Sequence, residues 1–281
     1  MRWLWPLLLA WASLAQAQGA LERGEYLVNG LGHCGACHTP RGLWLQERSE
    51  APLQGGWVQG WAAPAINGQA LQSWSQAQLV EYLASGQAPG KAHAAGPMAE
   101  VIEQSLSRLN GADLAAIALY LRHVPGPAPA PASDGPANAD LSPPRGQPRP
   151  ANPEQLSAGQ LFDAHCASCH RGGGRGLPAL NDPEILARRA SANLLMVILD
   201  GVQRGGETRM PGFAGQLTDR QAATLVNALA APGLPALVPG DVAARRGQPP
   251  LYFRGWVLLG AAGAGLLLAV GALAWRLRRG G

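Results

Sequence analysis

Apolar residues recur at helical spacing in two regions of the chain. In the first, Leu79, Val80, Tyr82 and Leu83 run towards Gly86, with Ser75 and Gln78 placed in front as a capping box. Farther on, Asn110 precedes Leu114, Ile117, Ala118 and Leu121, an i, i+3, i+4, i+7 pattern that predicts a closing amphipathic helix. The second region repeats the plan. Leu194, Leu195, Val197 and Ile198 run to Gly201, and Thr218 with Gln221 opens a helix carrying Leu225, Val226 and Leu229. Each region begins with a shorter helical stretch, Gly24-Glu25-Tyr26-Leu27 in one and Gly159-Gln160-Leu161-Phe162 in the other. No segment reads as a strand, so the pattern predicts an all-helical module present twice.

Two further apolar runs are not amphipathic. Trp3 to Ala15 is interrupted only by Pro6 and Ser13, follows Arg2, and closes on Ala15-Gln16-Ala17. A basic start, a short apolar core and a small-x-small ending predict a secretory signal peptide over residues 1–17, cleaved before Gln18. Trp256 to Trp275 holds 20 residues without a charge or a proline. At 1.5 Å per residue it spans about 30 Å, the thickness of a bilayer's hydrocarbon core. Arg276, Arg278 and Arg279 follow it. The expectation is a transmembrane helix over 255–275, a cytoplasmic tail over 276–281, and an exported body.

Proline sets the remaining boundaries. Val124 to Pro153 carries ten prolines in 30 residues, without apolar periodicity. Such a stretch reads as a linker, with a reach of roughly 90 Å in polyproline II at about 3.1 Å per residue. Its length suggests that the flanking modules move relative to each other or wrap a partner. The expected modules are residues 18–123 and 154–230, with a second Pro/Gly-rich linker over 231–254.

Charge is sparse, at 14% of residues, with a formal net of +4. The surplus lies at the ends. Residues 18–123 hold 6 basic and 8 acidic side chains, residues 154–240 hold 7 of each, and the last 41 residues hold six Arg and one Asp. A folded body that is neutral to acidic excludes a nucleic-acid footprint, which needs a basic face.

The chemistry sits in two short sequences, Cys34-Gly35-Ala36-Cys37-His38 and Cys166-Ala167-Ser168-Cys169-His170. Two thiols one helical turn apart match the two vinyl groups of a haem, and the His that follows faces the iron. Cys-x-x-Cys-His is the signature of c-type haem attachment. All four cysteines belong to these motifs, so two covalently bound haem c groups account for every thiol. His38 and His170 are the expected iron ligands on one face. On the other face a Met sulfur suits a carrier, because it fills the site and raises the potential. Met98, in Gly96-Pro97-Met98-Ala99-Glu100, and Met210, in Arg209-Met210-Pro211-Gly212-Phe213, are expected in loops between helices. Met196 falls inside a helix and reads as core filling. His93 competes with Met98 for the first iron. His33 and His165 read as local hydrogen-bonding residues, and His123 as a surface residue. Trp44, Trp57, Trp61 and Trp74 are expected to pack on haem or core, with Arg41 a candidate partner for a propionate.

With both irons six-coordinate, no catalytic residue is expected and the protein reads as an electron carrier. A dihaem peroxidase needs one five-coordinate haem. A thiol–disulfide oxidoreductase needs a strand–helix alternation that the pattern lacks. A zinc module does not spread its cysteine pairs across a long flexible linker.

The stretch Gly32 to Gly42, with Gly55-Gly56, Gly60-Trp61, Ala63-Pro64 and Ala95 to Glu100, resembles the cytochrome c subunit of membrane-bound periplasmic dehydrogenases of the alcohol and gluconate type. The second module resembles a generic class I cytochrome c. The resemblance implies an all-α fold, two class I cytochrome c domains in tandem with a C-terminal membrane helix. It assigns haem attachment to Cys34, Cys37, Cys166 and Cys169, and axial ligation to His38, Met98, His170 and Met210. It further implies the bacterial inner membrane, with the haem domains in the periplasm. Electrons would come from a partner dehydrogenase and leave towards quinone or a terminal oxidase. The family's subunits commonly carry three haem motifs, and this chain has two. An electron-donating subunit of a terminal oxidase is the alternative.

Overall fold

The computed structural model describes residues 18–127, 141, 148–170, 180, 191–230 and 234–246. The chain divides into two compact units, Met1–Val242 and Ala243–Gly281. Of the second unit only residues 243–246 are described, the end of a helix. The first unit holds both Cys-x-x-Cys-His sequences.

Its first half opens with α1, residues 18–25, which widens into π-type turns over Tyr26–Leu31. Then come α2 (Gly35–His38), the hairpin β1 (Gly56–Val58) and β2 (Trp61–Ala63), and α3 (Gln76–Ser85). A second hairpin, β3 (Gln87–Ala88) and β4 (Ala92–His93), leads to α4 (Pro97–Gln104) and α5 (Gly111–His123). The second half gives α6 (Ala158–His165), α7 (Ala167–His170), α8 (Ser191–Asp200), β5 (Val202–Arg204), β6 (Glu207–Met210), α9 (Asp219–Leu229) and α10 (Pro239–Arg246).

The helix starts follow from side chains that satisfy the first free N–H groups. Ser75 with Gln78 and Thr218 with Gln221 form reciprocal capping boxes, and Asn110 accepts from the Asp113 amide. Ser157 with Gln160 makes a third box, before α6. At its far end α3 stops on Gly86 at φ 75°, a left-handed cap that side chains with a Cβ resist.

The all-helical expectation is corrected. Three two-stranded antiparallel sheets are present: β1–β2, β3–β4 and β5–β6. Strands of two to four residues are too short to alternate visibly, and their signal lies in the turns instead. Gln59 and Gly60 have φ 49° and 87°, and Gly205 and Gly206 have φ 58° and 76°. Two central residues at positive φ suit the tight turns that match strand twist. Pro89-Gly90, with Gly90 at φ 67° and Lys91 N–H donating to Ala88 O, turns β3 into β4. Among the described residues no helix is long and apolar enough to cross a membrane. The runs over 1–17, 255–275 and 276–281 lie outside the described residues.

Each half builds its own core. Leu27, Val28, Leu79, Leu83, Ile102 and Ile117 are buried together in the first. Leu161, Phe162, Leu195, Ile198, Leu225 and Val226 are buried together in the second. In the first half α1 crosses α5 at Gly24, where a Cβ would overlap the Ala116 carbonyl oxygen and come within 2.7 Å of Tyr120 Cβ. Beside the crossing, Arg23 reaches Asp113 at 2.7 Å.

Gly24→Ala should therefore cost about 1–3 kcal/mol, the usual penalty for overpacking a close contact. Gly19→Ala, on the same helix with nothing within 4 Å of the added carbon, should leave stability unchanged or raise it. Chemical denaturation of the two variants checks the pair.

Candidate haem-attachment sites

The first Cys-x-x-Cys-His is a single helical turn. His38 N–H donates to Cys34 O at 2.9 Å and Cys37 N–H to the same oxygen at 3.3 Å. The chain enters this turn through His33 at φ 47°, whose Nδ1 lies 3.3 Å from Leu31 O. Its exit is held from outside. Gly55 N–H donates to His38 O at 2.7 Å, and the buried Thr39 hydroxyl accepts from Leu53 N–H at 3.0 Å. Arg41 donates to the carbonyls of Ala36 at 2.6 Å and Leu45 at 2.8 Å. Its guanidinium thus braces the turn, where the sequence offered it to a propionate. Gly56 lies so close to this turn that a Cβ there would strike the Cys37 carbonyl and approach the Thr39 carbonyl to 2.9 Å.

His38 is fixed by one further contact: its Nδ1 lies 2.7 Å from the Pro64 carbonyl. A carbonyl only accepts, so Nδ1 carries the hydrogen and Nε2 keeps its lone pair for a metal. Burial pushes the His38 pKa down, against the Pro64 hydrogen bond, which raises it. The ring therefore stays neutral at pH 7, as a ligand requires.

Two of the thiols, Cys34 and Cys166, are shifted away from the reactive range. Burial pushes Cys34 up to about 11, and likewise Cys166. A nucleophilic or metal-bound cysteine needs a depressed pKa. None of the four cysteines is in a disulfide, and the described residues contain no cluster of three or more His, Cys, Asp or Glu able to hold a metal ion. The free Cys34 and Cys37 thiols beside a neutral His38, held through its Nδ1, fit covalent haem.

Met98 is the second residue of α4, behind Gly96 and Pro97, rather than in a loop between helices. It is partly buried and packs on the first core. Gly96 sits at φ 53° against the Trp61 indole, where a Cβ would come within 2.6 Å of Trp61 Cζ2. The residues before Met98 thus rest on β2, the strand that leads into Pro64. Met210 ends β6, again in an element rather than a free loop, and is partly buried. A Cβ on Gly201, at φ 78°, would meet Gly212 N at 2.7 Å, so the helix stop and the Met210 segment touch.

The second attachment turn repeats the first. Cys166 ends α6, and His170 N–H donates to Cys166 O at 3.0 Å. Residues 171–179 and 181–190, which follow it, lie outside the described residues. His93 is exposed on β4, His123 is exposed with Nδ1 2.8 Å from Leu119 O, and His165 stacks edge-on with Phe213 at 6.0 Å. Met196 is partly buried on α8. Among the described tryptophans only Trp74 is in the buried core, edge-on to Tyr82, while Trp44 and Trp57 are exposed. The brace from Pro64 had no sequence signal of its own beyond the dipeptide Ala63-Pro64.

Two paired thiol turns, the first with a neutral, oriented His38, are the arrangement a c-type cytochrome requires. Residues 153–227 match the family described as cytochrome c oxidase, cbb3-type, subunit III. The fructose dehydrogenase cytochrome subunit of Gluconobacter japonicus is 36% identical over 237 residues, covering 73% of this chain and 47% of the relative. The gluconate 2-dehydrogenase cytochrome c subunit of Pantoea cypripedii is 33% identical over 266 residues, covering 81% and 57%. A dihaem c-type cytochrome of Cereibacter sphaeroides is 44% identical over 111 residues, covering 37% and 35%. The chain is similar to the cytochrome c subunits of dehydrogenases, and it spans about half the length of the first two relatives.

Gly96→Ala should destabilise the first half by about 1–3 kcal/mol. In a Trp61→Ala background the same change should cost at least about 0.5 kcal/mol less, because the indole it strikes is gone. Denaturation of the single and double variants measures the coupling.

Proposed function

We propose that the protein carries two haem c groups and passes electrons from a partner dehydrogenase to the respiratory chain, at quinone or a terminal oxidase. The observation that carries this reading is the first attachment turn: free Cys34 and Cys37 thiols beside a His38 whose Nδ1 is committed to Pro64 at 2.7 Å. Haem c, when bound, supplies a one-electron couple at its iron. The chain's own part is to hold and orient it. Cys34 and Cys37 would anchor the first group and Cys166 and Cys169 the second, with His38, Met98, His170 and Met210 as the side chains that would ligate the irons. Relatives named as dehydrogenase cytochrome subunits support the donor side.

The Ala15-Gln16-Ala17 ending and the apolar run of residues 256–275 support a periplasmic location at the bacterial inner membrane. A second reading, delivery of electrons within a terminal oxidase, is favoured by the oxidase description of the family matching residues 153–227.

Gentle detergent extraction followed by mass spectrometry of the bound partners separates the two: a co-purifying dehydrogenase supports the first reading, and oxidase subunits overturn it. In the purified protein, Met98→Ala and Met210→Ala should each keep two covalent haems by haemochrome assay. Each should lower the potential of one haem by more than about 59 mV, a tenfold change in its reduced-to-oxidised ratio. Unmoved potentials would remove the Met assignments.

A further inference from the structure

Among the described residues, hydrogen bonds join the two halves at three places, and all three adjoin the residues that hold His38 or carry Met98. On α8 the Asn193 side chain pairs with both backbone groups of Ala62. Its Oδ1 accepts from Ala62 N–H at 2.7 Å, and its Nδ2 donates to Ala62 O at 2.8 Å. The amide thereby occupies the free edge of β2 as a further strand would. Two residues on is Pro64, which accepts from His38; one residue back is Trp61, which lies against Gly96.

The second place is Arg204 on β5. Its guanidinium donates to Gly86 O and Ala94 O, each at 3.0 Å. Those carbonyls stand at the two ends of the β3–β4 hairpin, and Ala94 N–H also donates to Gly86 O at 2.8 Å. Ala94 is four residues before Met98. The third place is Gly205 N–H, which donates to Glu103 Oε1 at 2.6 Å, and Glu103 lies on α4 with Met98.

We propose that Asn193 and Arg204 are positioning residues for the first haem, so that docking of the second half sets that haem's reduction potential. The inference rests on the assignment of Cys34, Cys37 and His38 as a haem site. A two-stranded hairpin is marginal by itself in water. With its outer edge clamped, β2 delivers the Pro64 carbonyl to His38 at a fixed angle. The hydrogen bond to a ligand's far nitrogen orients the ring and raises its basicity, and second-shell hydrogen bonds and burial are levers on a haem's potential. Arg204 and Glu103 act in the same way on the distal side, through the segments that present Met98.

The test is a spectroelectrochemical titration of the full-length dihaem protein carrying Asn193→Ala or Arg204→Ala. Each should move one potential by about 40 mV, a fivefold change in that haem's reduced-to-oxidised ratio at 59 mV per tenfold. The moved haem should be the one that responds to Met98→Ala. Asn227 supplies the control, because it makes the same paired contact with Leu237 inside the second half, at 2.9 and 2.8 Å. Asn227→Ala should lower thermal stability without moving the first haem.

Unmoved potentials in a protein with two haems would overturn the inference alone. An equal shift in Asn227→Ala would also overturn it, by making the effect a general loosening of the second half. Fewer than two haems in the wild-type protein would overturn the underlying assignment and the inference with it.

Discussion

A four-residue helical turn does not hold itself in water, because the cost of nucleating a helix is never recovered over so few bonds. Both Cys-x-x-Cys-His sequences are such turns, α2 and α7. Everything that makes the first one a defined site comes from outside it. The carbonyl of His38 is taken by Gly55, those of Ala36 and Leu45 by Arg41, and the far nitrogen of the His38 ring by Pro64. These partners sit on irregular chain and on a small hairpin, so the loops between the helices are structural members of the site.

The division of labour between helices and hairpins follows from burial. The helices supply two apolar cores, one in each half. The join between the halves is polar instead, made by Asn193, Arg204 and Gly205 on backbone or carboxylate partners. Each such bond contributes only about 0.5–1.5 kcal/mol net. Their value is directional. An Asn that satisfies both the N–H and the C=O of one residue fixes the register of a strand in a way that apolar packing does not.

The helical plan was legible because capping side chains and 3.6-residue periodicity are local. Ser75, Asn110 and Thr218 start helices where the pattern places them. The hairpins were not legible from alternation, since two to four residues hold no period, although Gly205-Gly206 and Pro89-Gly90 mark their turns. The attachment motifs were legible because covalent chemistry fixes their spacing. What surrounds them was not. Arg41 was open to a propionate and instead serves backbone carbonyls within its own loop. Met98 and Met210 looked like loop residues because Gly and Pro surround them. Yet Gly96 and Pro97 begin a helix, where proline at the first turn loses no hydrogen bond. Asn193 is 131 positions from Ala62, and no sequence pattern announces a contact of that range.

The way α8 covers β2 bears on how the chain reaches its folded form. An open strand edge offers unpaired donors and acceptors to any neighbouring chain. During synthesis the residues of β2 emerge well ahead of Asn193, so for that interval Ala62 presents such an edge with nothing of its own to cap it. A chain halted between the two is left with a first half that is correctly cored yet adhesive. Covering that edge within the same polypeptide ties solubility of the early half to completion of the late one.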